Sequence, residues 1–213
     1  MSAVVFDCDG LLLDTETCWS RAEASLFADY GYGFGPAEKD LLIGRTLEAA
    51  CANMADLGRP GTGPELQGPV ATGRARTRCR SRTYARCRRA FETSGRPGAA
   101  LGVATNSQRG MLDAALAAAS IANFFAVSVA ADEVAHPKPN PELYLRAFEQ
   151  LSASPRTCVA LEDSSTGVAA ARNAGAYLIT APSQQGKKLE GDLVASALDD
   201  PRIVEWALTV DTM

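Results

Sequence analysis

Ala3-Val4-Val5-Phe6-Asp7-Cys8-Asp9-Gly10 is the stretch that decides the fold. The apolar run Ala3 to Phe6 predicts a short strand buried on both faces. Two carboxylates one residue apart then leave its end. Burying such a pair is costly unless a cation or reaction chemistry holds it there. Gly10 lets the chain turn sharply behind them. An isolated pair of acids also opens many ordinary loops, so its meaning depends on what the other strand ends carry.

Outward from this strand the chain divides in two. Thr15 to Tyr30 carries apolar or small residues at Trp19, Ala22, Leu26 and Tyr30, which is helical spacing. Two further helical stretches follow at about 37–43 and 46–57, and 58–63 reads as loop. From 97 onward strands and helices alternate: strands at 101–104, 125–130, 158–161 and 177–180, and helices at 111–119, 141–151, 166–174 and 201–208. Gly175 stops the third of these helices. Strands alternating with helices imply a parallel sheet covered on both faces. The expectation is an α/β protein with a Rossmann-like, three-layer parallel-sheet core formed by residues 1–14 and 97–213. Residues 15–96 then form an inserted helical cap.

Residues 66–96 do not fit that pattern. Between Leu66 and Phe91 there is no Asp or Glu, yet there are arginines at 74, 76, 78, 80, 82, 86, 88 and 89. Their alternation matches neither an amphipathic helix nor a half-buried strand with an apolar face. Three readings stand open: a solvated or disordered basic loop, an anion-attracting patch near a site, or out-of-frame translation of GC-rich DNA.

Bulk properties narrow the class. A chain of 213 residues with 46% hydrophobic residues can bury a full core, as one large domain or a core with an insertion. No apolar run is long enough to span a membrane. No secretory signal is expected ahead of the first strand. The six cysteines form no CxxC pair, which fits reduced thiols in a cytoplasmic protein. A net charge of −4 argues against general nucleic-acid binding, and the arginine cluster lacks interleaved aromatics apart from Tyr84. A monomer is expected.

The other strand ends carry chemistry of one kind. Asp7 is the candidate nucleophile, because a carboxylate can form an acyl-phosphate. Asp9 is the candidate general acid/base. Thr105-Asn106-Ser107 follows the second strand, and a hydroxyl with backbone N–H groups at a helix start can hold phosphate oxygens. Lys138 stands between Pro137 and Pro139, which stiffen the backbone around an ammonium suited to phosphate. Glu162-Asp163 follows Cys158-Val159-Ala160-Leu161, again placing acids where a buried strand ends. With Asp7 they make an oxygen-rich set suited to Mg²⁺. In open α/β sheets the carboxyl ends of the strands form the ligand crevice.

The set Asp7-Cys8-Asp9-Gly10, Ala104-Thr105-Asn106-Ser107, His136-Pro137-Lys138-Pro139 and Leu161-Glu162-Asp163-Ser164 resembles the haloacid dehalogenase superfamily of phosphohydrolases. The longer matches, Val4 to Glu16 and Leu161 to Gly167, look like the branch with a helical cap after the first motif. That branch includes sugar-phosphate phosphatases and β-phosphoglucomutase. The resemblance covers about 1–58 and 97–200. It implies that Asp7 attacks phosphorus and that Asp9 serves as acid and base. It implies that Thr105, Asn106 and Lys138 hold phosphoryl oxygens. Mg²⁺ would be bound by Asp7, the Asp9 carbonyl and Asp163, with Glu162 close by or acting through water. The dehalogenases of the superfamily lack the second Asp, so Asp9 argues against dehalogenation.

The same resemblance narrows the reaction. β-Phosphoglucomutases carry a His where this chain has Trp19 and a substrate-binding Arg where it has Leu47. Both departures favour hydrolysis. Gly44-Arg45-Thr46 resembles a cap loop that faces substrate, which makes Arg45 a candidate contact. His136, the single histidine, reads as a loop residue. The expected function is a Mg²⁺-dependent phosphatase of a small phosphorylated metabolite, a sugar phosphate, through an aspartyl-phosphate. The alternatives are a phosphomutase of the β-phosphoglucomutase type and a catalytically impaired phosphate-binding protein with a damaged cap.

Overall fold

The computed structural model describes residues 3–29, 31–56, 99–183 and 186–209. The arginine-rich stretch and the readings attached to it lie outside these residues. Six strands form one parallel sheet in the order β3-β2-β1-β4-β5-β6: β1 (Ala3–Phe6), β2 (Ala100–Ala104), β3 (Val127–Val129), β4 (Cys158–Glu162), β5 (Tyr177–Thr180) and β6 (Leu193–Val194). β1 is central, with Ala3 opposite both Ala100 of β2 and Cys158 of β4. Strand order reverses at β1, so its carboxyl end is the switch point where such sheets open a crevice.

Parallel strands need cover on both faces, and the sequence of β1 supplies it by alternation. Val4 and Phe6 join one buried cluster with Leu112, Leu116 and Ile203. These come from α4 (Arg109–Ala118) and α7 (Pro201–Thr209). Ala3 and Val5 join the other, with Leu143, Tyr144, Phe148, Ala170 and Ala171. These lie on α5 (Glu142–Gln150) and α6 (Ser165–Ala174). Two clusters, one on each side of a sheet, make the three layers expected from the sequence. At the sheet margin Tyr177 stacks on Trp206 with ring centroids 5.2 Å apart.

Between β1 and β2 the chain forms α1 (Glu16–Asp29), α2 (Pro36–Leu42) and α3 (Leu47–Asp56). Pro36 starts α2 at the position where its missing N–H costs nothing. Phe27 and Leu42 are the buried centre of this unit, with Phe34 set edge-on to Phe27 at 5.1 Å. Among the described residues, polar contacts tie it to the sheet domain. Asn106 Nδ2 donates to the Gly44 carbonyl (2.9 Å), Gln108 Nε2 donates to Glu48 Oε1 (2.9 Å), and Lys187 pairs with Asp40 (3.7 Å).

Two expectations change in detail. The strand expected over 125–130 shortens to Val127–Val129, because Ala122–Phe124 turns as a 3-10 helix ahead of it. The two-residue β6 has no counterpart in the sequence reading.

Candidate active site

Each anticipated residue except Arg45 stands at or beyond the carboxyl end of a strand. Asp7 follows Phe6 of β1, and its N–H donates to the Leu161 carbonyl of β4 (3.0 Å). That bond locks the carboxylate between β1 and β4. Gly10 has φ 86, the left-handed turn its lack of a Cβ allows. The chain then doubles back, with the N–H groups of Leu12 and Leu13 both donating to the Cys8 carbonyl (3.1 and 3.0 Å).

Lys138 is the hub. Its Nζ donates to Asp7 Oδ1 and to Glu162 Oε1, each at 2.6 Å, and lies 4.9 Å from the Tyr144 ring centroid. Glu162 is fully buried and takes a second bond at Oε1 from the Tyr144 hydroxyl (2.6 Å). Its other oxygen accepts from the Asp163 N–H (3.2 Å) and the Ser164 hydroxyl (3.3 Å). Ser164 Oγ also caps α6 by accepting from the Gly167 N–H (3.1 Å). One short segment thus places both acids and starts the helix behind them.

Asp9 takes a different environment one residue from Cys8. Its Oδ2 accepts from Ser107 Oγ (2.7 Å) and Thr105 Oγ1 (3.1 Å). The two hydroxyls fix the orientation of this carboxylate. Two carboxylates on one turn are therefore held differently, Asp7 by an ammonium and Asp9 by hydroxyls.

The electrostatics follow from burial. Desolvation pushes the Asp7 carboxyl up to about 8; Lys138 pulls it down, while Glu162 and Asp9 push it further up. Burial works against the Lys138 ammonium, but Asp7 and Glu162 outweigh it and hold its pKa above the ordinary lysine value. Burial, then Glu162, raises the Tyr144 hydroxyl well above its usual range, so it stays a donor.

Asp7, Glu162 and Asp163 are all buried, and one oxygen from each lies within 4.8 Å of the others. Asp7 and Glu162 share the Lys138 ammonium, and the all-oxygen donor set of the three acids fits a hard divalent cation such as Mg²⁺.

The structure brings Asp7, Asp9, Thr105, Asn106, Lys138, Glu162 and Asp163 together. Asn106 takes its place through a side chain whose hydrogen bonds go to protein backbone, namely the Gly44 carbonyl and the Lys138 N–H and carbonyl. Arg45 follows Gly44 in the turn seated on Asn106, with its own side chain exposed. His136 lies on the surface against Glu142. Two contributors escaped the sequence reading. Tyr144 sits among the apolar residues of α5 and reads as core. Ser107 was visible beside Thr105, but only the fold shows that it holds Asp9. Beside Gly10 a cleft of about 1160 Å³ opens between α1, α2 and the loops after β5 and β6, with Arg21, Lys39 and Lys187 in its walls. Among the described residues, no helix is long and apolar enough to cross a membrane.

Comparison with known proteins agrees with this fold. Residues 4–181 match the model of the haloacid dehalogenase-like hydrolases. The chain is 30% identical to Protein CbbY of Rhodobacter capsulatus, covering 86% of each chain. It is 30% identical to hexitol phosphatase B of Escherichia coli, covering 95% of this chain and 88% of that protein. The crystal structure of β-phosphoglucomutase from Clostridium difficile superposes with a TM-score of 0.80 at 16% identity, covering 99% of this chain and 98% of that one, which is a likeness of fold. The chain is an enzyme of the haloacid dehalogenase-like hydrolase family.

Proposed function

We propose that this chain is a Mg²⁺-dependent phosphatase of a small phosphorylated metabolite, a sugar or sugar-alcohol phosphate, that works through an aspartyl-phosphate. The observation that carries this reading is the pair of differently held carboxylates, Asp7 on the Lys138 ammonium and Asp9 on the Thr105 and Ser107 hydroxyls. Its relation to a hexitol phosphatase supports the substrate class. The helical unit from residue 15 onward serves as the cap, and its Arg45 is a candidate substrate contact.

In the first step an Asp7 oxygen attacks phosphorus, the bond to the leaving oxygen breaks, and Asp9 gives that oxygen its proton. In the second, water attacks the same phosphorus, Asp9 takes the water's proton, and the bond to Asp7 breaks to release phosphate. Lys138, Thr105 and the backbone of Asn106 hold the phosphoryl oxygens. Asp7, Asp163 and the Asp9 carbonyl, with Glu162 beside them, would hold Mg²⁺, which neutralises charge on the phosphoryl group. The protein's part is mostly positioning and charge neutralisation.

Phosphate release from a panel of sugar and sugar-alcohol phosphates, with Mg²⁺ and with excess chelator, tests the reading. The expected result is release that needs the cation and vanishes in Asp7→Asn. Release from an aryl phosphate by Asp7→Asn sinks the mechanism. Conversion of β-glucose 1-phosphate to glucose 6-phosphate without free phosphate replaces hydrolysis by mutase chemistry.

A further inference from the structure

Asn106 is buried, and its amide is fully used inside the protein. Nδ2 donates to the Gly44 carbonyl (2.9 Å) and the Lys138 carbonyl (3.0 Å), and Oδ1 accepts from the Lys138 N–H (2.9 Å). A primary amide offers two N–H donors and one oxygen acceptor, and here each is engaged. One side chain therefore clamps both sides of Lys138 and, with its remaining donor, holds the turn between α2 and α3.

The seat of that turn is tight on its other side as well. Gly44 has φ 69, and a Cβ there would lie 2.9 Å from both Cβ and Oγ of Ser164. Asn106 follows Thr105 beyond β2, and Ser164 follows Asp163 beyond β4. The strand between β2 and β4 is β1, which Asp7 follows. The Gly44 turn thus rests on both shoulders of the nucleophile's strand, and only a residue without a side chain fits.

We propose that Asn106 is a positioning residue that couples the seating of the Gly44 turn to the placement of Lys138. When the turn lifts, the amide loses one of its three anchors and can rotate, and the Lys138 peptide loses its fixed partners. The ammonium then loses its register on Asp7 and Glu162. Coupling of this kind is reciprocal, so an anion that fixes Lys138 must also favour the seated turn. Calling Asn106 a positioning residue for the reaction rests on the phosphatase reading; the coupling itself does not.

Hydrogen exchange reads the coupling without catalysis. Gly44→Ala displaces the turn and presses on Ser164 while leaving Asn106 and Lys138 themselves unchanged, and exchange at the Lys138 amide should rise by about tenfold or more, as it should in Asn106→Ala. In the unaltered protein, inorganic phosphate with Mg²⁺ should slow exchange at the Arg45 amide, which donates within the turn to the Leu42 carbonyl. Asn106→Asp, nearly the same shape, keeps an acceptor for the Lys138 N–H but sets a carboxylate against the Gly44 carbonyl. It should abolish the phosphate effect at Arg45 and stands in if Asn106→Ala does not fold.

Kinetics with p-nitrophenyl phosphate and Mg²⁺ supply the second arm. Each single variant should lower kcat about tenfold or more with a smaller change in KM, and the double variant should be no worse than the worse single. Unchanged Lys138 exchange in Gly44→Ala, or losses that multiply in the double variant, overturns the proposal. A protein that hydrolyses nothing while Lys138 exchange still follows the turn overturns the phosphatase reading and leaves the coupling standing.

Discussion

The Glu162 carboxyl group lies against the Cα of Gly167, so closely that a methyl group at 167 would sit 2.0 Å from Cδ and both oxygens. Gly167 stands in the first turn of α6, where alanine would otherwise favour the helix. The glycine is there to admit an acid. Gly167→Ala should destabilise the fold by roughly 1–3 kcal/mol through overpacking. It should also move Glu162 off Lys138 and lower kcat. Chemical denaturation and steady-state kinetics on the same preparation check both effects.

Tyr144 gives Glu162 one of its two bonds at Oε1. Tyr144→Phe keeps the ring under Lys138 and removes the hydroxyl that donates to Glu162 and accepts from Lys138 Nζ (3.5 Å). A hydrogen bond to a charged group contributes about 1.5–3 kcal/mol, so denaturation should show a loss of this order. Activity should fall without vanishing, since the Lys138 contact to Asp7 remains.

Lys138→Met removes the ammonium shared by Asp7 and Glu162 and leaves two carboxylates buried against each other. Breaking a buried pair in this way costs about 3–5 kcal/mol. Lys138→Arg should not restore activity, because a planar fork does not fit a point between two oxygens that each lie 2.6 Å from Nζ. Thermal melts together with phosphate release test this.

The raised pKa of Asp7 gives a pH dependence with a definite sign. Without a cation, the folded state keeps a proton on Asp7 that the unfolded chain releases at the ordinary carboxylate pKa. Cation-free stability should therefore fall as pH rises from about 4 toward the Asp7 value of about 8, and level off above it. Mg²⁺ competes with that proton, so its uptake near neutral pH should release protons and its stabilising effect should grow with pH up to that value. Calorimetry in buffers of different ionisation enthalpy measures the release.

Asp200 supplies the opposite case. Its carboxylate accepts from Arg202 Nη2 (2.6 Å) and Nε (2.9 Å) and from the N–H and hydroxyl of Ser196 (both 2.8 Å). The Arg202 hydrogen bond leads in holding its pKa well below the usual carboxylate range, against the penalty of burial. Its contribution is complete above the ordinary value of 3.8 and is lost as pH falls below it toward the folded value. Asp200→Asn should flatten the acid side of the stability profile and leave kcat unchanged at neutral pH.

The central strands and the residues at their ends were legible because β1 and β4 are unbroken apolar runs followed at once by acids. The helices were legible to within a few residues from their periodicity. β6 was not, since two residues carry no period and its pairing with β5 depends on tertiary context. Tyr144 was hidden because Leu143, Ala147 and Phe148 make its face of α5 look purely apolar, and its hydroxyl gains a role only once Glu162 arrives. Asn106 was legible as part of a site but not in its manner of action. A side chain's partners 32 and 62 residues away are set by the fold, not by its neighbours in sequence.

The ion pair at the heart of the site joins residues 131 positions apart. On the ribosome, β1 and its acids emerge long before Lys138, and β1 gains its second neighbour only when β4 follows. Until then Asp7 and Asp9 follow an apolar strand with one edge still open to any other chain. The centre of the sheet thus stays open until β4 emerges, and slowing synthesis between β2 and β4 should lower the yield of folded protein more than slowing it after β5.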